Sequence, residues 1–160
     1  MGILLPMFLI VVVLMTPPPP SSSSSTDRTA GQDSVTYTIS GTAVTLPEVL
    51  DAAGIAADSE SIAKQVVLKS KSGEITPLLS DEASRALFVD ERLRNRQTEV
   101  KYRKLAGLPY IRVVSFKIVE NGLLRTPEYY CEICAISVRF PQICPCCQGE
   151  MVLRMKPEPR

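Results

Sequence analysis

Five cysteines fall within residues 131–147 of a 160-residue chain, and their spacing is its strongest chemical signal. The segment reads YYCEICAISVRFPQICPCCQGEMVLRM. Cys131 and Cys134 form one CxxC pair, and after a nine-residue gap Cys144 and Cys147 form a second. A CxxC turn aims two sulfurs at one point, while its backbone N–H groups hydrogen-bond the thiolates and spread their charge. Two such turns supply four soft anionic ligands, which suits a tetrahedral zinc ion. Four thiolates fill that shell, so no position remains for water or substrate and the metal is expected to be structural. Pro145 stiffens the second turn, and Gly149 is placed to supply the positive φ on which such turns often exit. Cys146 is surplus: it lies between two ligands, is expected to point away from the metal, and is the candidate reactive thiol. Two disulfides plus a free thiol, or an iron ion, are the competing uses of the same residues.

The paired turns resemble the zinc-ribbon and zinc-knuckle pattern, in which CPxC followed closely by Gly is the recurring second half. The departure is the short gap, which leaves AISVRFPQI (135–143) to form a minimal hairpin. An iron site would be similar to rubredoxin, a family whose two halves normally lie much farther apart.

Other chemistries are excluded by what the chain lacks. It has no His, which removes His-based acid–base catalysis, the Ser-His-Asp triad, HExxH zinc hydrolases and CxxCH haem attachment. No Walker A or GxGxxG motif is present to cradle phosphate. Ser61 and Lys64 match SxxK, and Lys71–Ser72–Gly73 loosely echoes KTG, but Lys71 is only seven positions past Lys64 and the middle element is missing. No residue stands out as a catalyst, and a non-enzymatic protein is expected.

Charge is nearly balanced overall at +1, so no global field recruits nucleic acid or an anionic membrane. Locally it is not. From Asp90 to Lys117 the basic residues exceed the acidic ones by five. Arg92, Arg94, Arg96, Lys101, Arg103, Arg112 and Lys117 make a candidate ligand face, with Tyr102, Tyr110 and Phe116 as possible stacking partners. The plainer reading is a solvated sheet face beside a cation-rich helix end, with Asp90 and Arg94 paired at i,i+4.

The elements that must position these residues follow from patterning. Residues 1–16 contain the uncharged run GILLPMFLIVVVLM, the length of a signal h-region and short of the roughly 20 residues a spanning helix needs. Residues 17–33 are a Pro/Ser-rich spacer. A signal or retained anchor is expected, placing the chain in the cell envelope, membrane-tethered or secreted. In 34–127 the pattern becomes short strands: Val35, Tyr37 and Ile39 alternate with polar residues up to Gly41. Pro47 opens a short helix that stops at Gly54, and Val66–Leu68 with Ile75–Leu79 form a hairpin around Ser72–Gly73. Ser80 is placed to cap one helix through DEASRALFVDERLRN. YIRVVSFKIVE is the most strand-like segment, and Asn121–Gly122 turns it into a hairpin toward Tyr130. Residues 128–155 carry the cysteines, and 156–160 are a tail.

The expected fold is therefore mainly β: a small antiparallel barrel with one or two short helices and a C-terminal metal hairpin. The layout, with GTAV, KSGEI and LPYIRVVSFKI as its turn-and-strand cues, resembles an OB-type barrel and is similar to exported bacterial OB-fold domains. A β-grasp-like arrangement competes. The leading expectation is a membrane-tethered or exported, non-enzymatic binding or assembly module that exposes its basic strand face to a protein or an anionic ligand. A cytosolic single-strand nucleic-acid binder and a thiol-redox or metal-handling protein are the alternatives, and an exported location argues against nucleic acid.

Overall fold

The computed structural model describes residues 35–157, so the expected leader, the whole spacer and residues 158–160 lie outside the described residues. Among the described residues no helix is long and apolar enough to cross a membrane. Eight antiparallel strands form one sheet, with only short helices attached, in agreement with the expected β class. The strands are β1 (Tyr37–Thr45), β2 (Val66–Lys69), β3 (Ile75–Pro77), β4 (Gln97–Lys104), β5 (Ile111–Glu120), β6 (Leu123–Cys131), β7 (Ile136–Val138) and β8 (Val152–Pro157). Their order is β3-β2-β1-β4-β5-β6-β7, with β8 on β6. Beyond β3, Leu78 makes a parallel bridge to Ile111, and the Leu79 N–H donates to the Ile111 carbonyl at 3.0 Å.

β1 does not end at Gly41; it runs through it. Its first half pairs with β4 and its second with β2, and Thr42 has a partner on each side. Glycine is required at this crossing, because a Cβ on Gly41 would lie 2.6 Å from the Lys69 carbonyl oxygen.

β5 carries a second irregularity. Lys101 of β4 faces Ser115 while Tyr102 faces Val113, so Val114 is left out of the ladder as a bulge. Without that extra residue the alternation would turn either Ile111 and Val113 or Phe116 and Ile118 to solvent. With it all four are buried. They join Ala43, Val66, Leu68, Leu78, Leu87, Leu93, Val100 and Tyr129 in the core.

The short helices follow their capping chemistry. α1 (Leu46–Ala52) begins at a Thr45–Glu48 capping box and has Pro in its first turn, and it ends before Gly54 at φ +68°. α2 (Ser59–Ile62) is capped by Asp58. The single helix expected from Ser80 is broken instead. α3 (Arg85–Val89) stops at Asp90, which takes an extended conformation, and a 3₁₀ turn (Glu91–Leu93) follows. Ser84, not Ser80, occupies the first cap position. Its hydroxyl is turned back to donate to the Leu79 carbonyl at 2.6 Å.

Candidate metal centre

β6 delivers the first knuckle. Tyr129 is buried in the core, and Cys131 ends the strand two residues later. The chain then turns back so that β7 pairs with the end of β6, Cys131 opposite Ile136. β8 returns along the opposite edge of β6, from Tyr130–Val152 to Arg125–Pro157. β5 and β7 thus share one edge of β6 and β8 takes the other. The hairpin expected within 135–143 does not form; the CxxC turn itself is the hairpin tip. Val138, Phe140, Met151, Leu153 and Met155 pack against the main core, so the cysteine segment is seated on the sheet.

The two knuckles have the same backbone. In the first, the Ala135 N–H donates to the Cys131 carbonyl at 2.9 Å and Ala135 has φ +54°. In the second, the Gln148 N–H donates to the Cys144 carbonyl at 2.9 Å and Gln148 has φ +57°. The left-handed residue is the one just after each second cysteine, so the expectation that Gly149 supplies the positive φ is corrected. Gly149 instead lies against the site, where an added Cβ would meet the Cys147 sulfur at 3.5 Å, and its carbonyl accepts the Cys144 N–H at 2.9 Å.

These turns bring the sulfurs of Cys131, Cys134, Cys144 and Cys147 within 4.8 Å of one another. The Cys131 and Cys147 sulfurs are 3.5 Å apart, and the Cys134 N–H points at the Cys131 sulfur at 3.4 Å. Four sulfurs around a tetrahedral ion with bonds of about 2.3 Å would stand about 3.8 Å apart, so the cluster is close to the size a metal demands. All five cysteines are free thiols, and Cys131 and Cys144 are buried. The expected four-ligand set is thus brought together and could hold a metal ion.

The electrostatics favour anionic sulfur at Cys144, whereas Cys147 of the same knuckle is pushed up: the Gly149 backbone N–H pulls it down, but the thiols of Cys131 and Cys144 outweigh it. The Cys144 thiol is pulled down to about 6, foremost by the Cys147 backbone N–H; burial opposes this, and the Cys146 N–H adds to it. The Cys134 thiol is pushed up, foremost by the thiol of Cys146. Cys146 is solvent-exposed, yet it approaches Cys134 closely enough to act on it, so it does not point simply away from the cluster.

Arg154 of β8 braces the first knuckle. Its guanidinium lies 3.7 Å from the Tyr130 ring centroid and pairs with Glu132, inside the CxxC turn, at 3.1 Å. Its reach across the sheet is set by the β6–β8 register, which no local signal announces.

The basic residues are divided. Lys101, Arg103, Arg112 and Lys117 share the outer face of β4–β5, where Arg103 faces Arg112 and Lys117 faces Glu99. Arg92, Arg94 and Arg96 lie off this face and are paired with Asp90, Glu91 and Glu120 at 2.6, 3.1 and 3.3 Å. The Asp90–Arg94 pair expected from helical spacing is replaced, because the helix breaks at Asp90. Arg112 reaches Asp81 at 3.9 Å. Phe116 is buried, and Tyr102 packs on the core and stacks on Tyr37 at 5.7 Å, so neither stands among the cations as a stacking platform.

No protein-family model, curated protein or solved structure matches this chain, and its reading therefore rests on the geometry of its own residues.

Proposed function

We propose that the chain is a non-enzymatic binding or assembly module, exported or membrane-tethered, whose C-terminal segment is ordered by one structural zinc ion. The observation that carries the metal reading is the pair of equivalent knuckles that gather four thiols within 4.8 Å. Cys131, Cys134, Cys144 and Cys147 are the ligands. Four thiolates favour zinc, and they leave it coordinatively closed, so its role is to hold β6, β7 and β8 together rather than to activate water. Binding contributes on the order of 10 kcal/mol or more to a segment with little apolar area of its own.

The β3-β2-β1-β4-β5 order and the parallel Leu78–Ile111 bridge support an OB-like barrel for the first five strands. The outer β4–β5 face, with Lys101, Arg103, Arg112 and Lys117, is the surface offered to a protein or an anionic ligand. The burial of Phe116 and the inward packing of Tyr102 weigh against the single-strand nucleic-acid alternative, which relies on exposed rings. The exposure of Cys146 is what keeps a thiol-redox reading alive.

Native mass spectrometry of protein purified from its own cell fraction tests the proposal. The expected result is one zinc per chain, in membrane or envelope material, with loss of amide protection across residues 131–151 after chelation. A metal-free chain with that protection intact overturns the zinc reading. Recovery from the soluble cytoplasm with salt-dependent oligonucleotide binding overturns the exported module. Labile metal or a cycling disulfide would assign the thiol-redox role.

A further inference from the structure

A concavity of about 410 Å³ opens where β1 changes partners, and neither the thiols nor the β4–β5 cations line it. It is lined by Gly41, Thr42 and Val44 of β1, Lys69 at the end of β2, Ser70 and Lys71 of the following turn, and Gln97 at the start of β4. The registers explain the convergence. Thr42 is the cross-strand partner of Lys69 on one side and of Gln97 on the other, so these three side chains form one row on one face of three adjacent strands. The turn after Lys69 adds Ser70 and Lys71. It is held in shape by the Ser70 hydroxyl, which lies 2.8 Å from the Ser72 hydroxyl and accepts the Glu74 N–H at 3.0 Å.

The chemistry of the lining is one-sided. The lining residues carry two ammonium groups, two hydroxyls and a primary amide, and none of them is acidic. Neither lysine is ion-paired among the described residues. Other described cations, such as Lys64, Lys101 and Arg139, also lack an acidic partner, so what distinguishes Lys69 and Lys71 is that both line one concavity. Gly41 also lies in the lining, where an added Cβ would meet the Lys69 carbonyl oxygen at 2.6 Å and the buried Leu68 side chain at 3.0 Å. Val44 provides an apolar wall. The volume is at the lower end of small-molecule sites, of about 300–1,000 Å³, which suits a metabolite-sized occupant.

We propose that this concavity binds a small phosphate-type anion, with Lys69 and Lys71 supplying charge and Thr42 and Gln97 supplying hydrogen bonds to its oxygens. Lysine suits this role as a compact point charge that does not need the bidentate geometry of arginine.

The test is titration of the intact, metal-loaded chain with inorganic pyrophosphate, read by amide chemical shifts. The expected result is saturable perturbation confined to residues 41–44, 69–73 and 97, with affinity falling at least tenfold in the Lys69→Gln/Lys71→Gln double variant. Lys101→Gln, on the β4–β5 face, should leave that affinity unchanged. Both sets of lysines are exposed, so folding is retained and is verified by the unperturbed core amides. Absence of shifts at millimolar pyrophosphate overturns the proposal. So does equal weakening by Lys101→Gln, which would mean diffuse attraction. An oligothymidylate arm separates the sources of phosphate. If it binds the same row more tightly than pyrophosphate, the ligand is a polymer backbone and the small-ligand assignment fails.

Discussion

The Tyr129 hydroxyl donates a 2.6 Å hydrogen bond to Oδ2 of Asp90, and both residues are buried. The pair connects the break in the helical segment to the strand that ends, two residues on, in Cys131, the first thiol of the cluster. Arg92 closes the group from the solvent side, with Nε 2.9 Å from Oδ1 and Nη2 2.6 Å from Oδ2. Burial works against ionisation of Asp90, but the donors of Arg92 and Tyr129 outweigh it and hold its carboxyl below the ordinary carboxylate range. For Tyr129, burial first and the neighbouring carboxylate second push the phenol above its usual value.

Tyr129→Phe should cost about 1.5–3 kcal/mol, the worth of a hydrogen bond to a charged group, toward the lower end because Arg92 still satisfies Asp90. Asp90→Ala should cost more, on the order of 3–5 kcal/mol, since it strands a buried hydroxyl and frees Arg92. Denaturant melts of the metal-loaded proteins check the order. A Tyr129→Phe variant less stable than Asp90→Ala would contradict this account.

The same pair sets two pH limits. Asp90 is depressed on folding, so its contribution is present above the unfolded value of about 3.9 and is lost as pH falls through the folded one. Tyr129 is raised, so its contribution is complete below the unfolded value of about 10 and is lost as pH rises above it. Stability against pH should show both limbs in the wild type, and Tyr129→Phe should lack the alkaline one.

The cysteines are not equivalent. Serine at Cys131 or Cys144, both buried, should abolish stoichiometric zinc and amide protection in β7, because three thiolates leave the shell open to water. Cys146→Ser should keep the metal and remove the one thiol that reacts rapidly in the zinc-loaded protein. Metal content and thiol counting read both outcomes. Zinc retained in Cys144→Ser would mean that Cys146 takes its place.

Gly41→Ala should destabilise the sheet by about 1–3 kcal/mol, the usual cost of overpacking. The Cβ would meet backbone, the Lys69 carbonyl, and not the yielding end of a side chain. Gly73→Ala on the exposed β2–β3 turn has open space around it, though its φ of +88° still carries strain. Comparing the two melts separates the clash from the conformational cost.

Much of this was legible locally. The Asn121–Gly122 hairpin, the Ser72–Gly73 turn and the Pro47 helix start depend on the conformational limits of those residues, and all are present. The broken helix was not legible. Its helical pattern runs on past Asp90, and what stops it is a carboxylate drawn to Tyr129, 39 residues away in sequence.

By itself the sequence determined which chemistry the chain can attempt. Cysteine spacing named the four thiols that the fold gathers, the lack of histidine removed whole classes of catalyst, and strand patterning specified a β protein. Only the tertiary structure decided how these parts meet. The Val114 bulge determined which of the strand's residues face the core, and pairing registers separated the aromatic rings from the cations. They also set Thr42 between Lys69 and Gln97. The physical reason is range: turns and knuckles are closed by neighbours a few residues apart. Register and burial are chosen by the whole sheet at once, through partners that no local pattern can name.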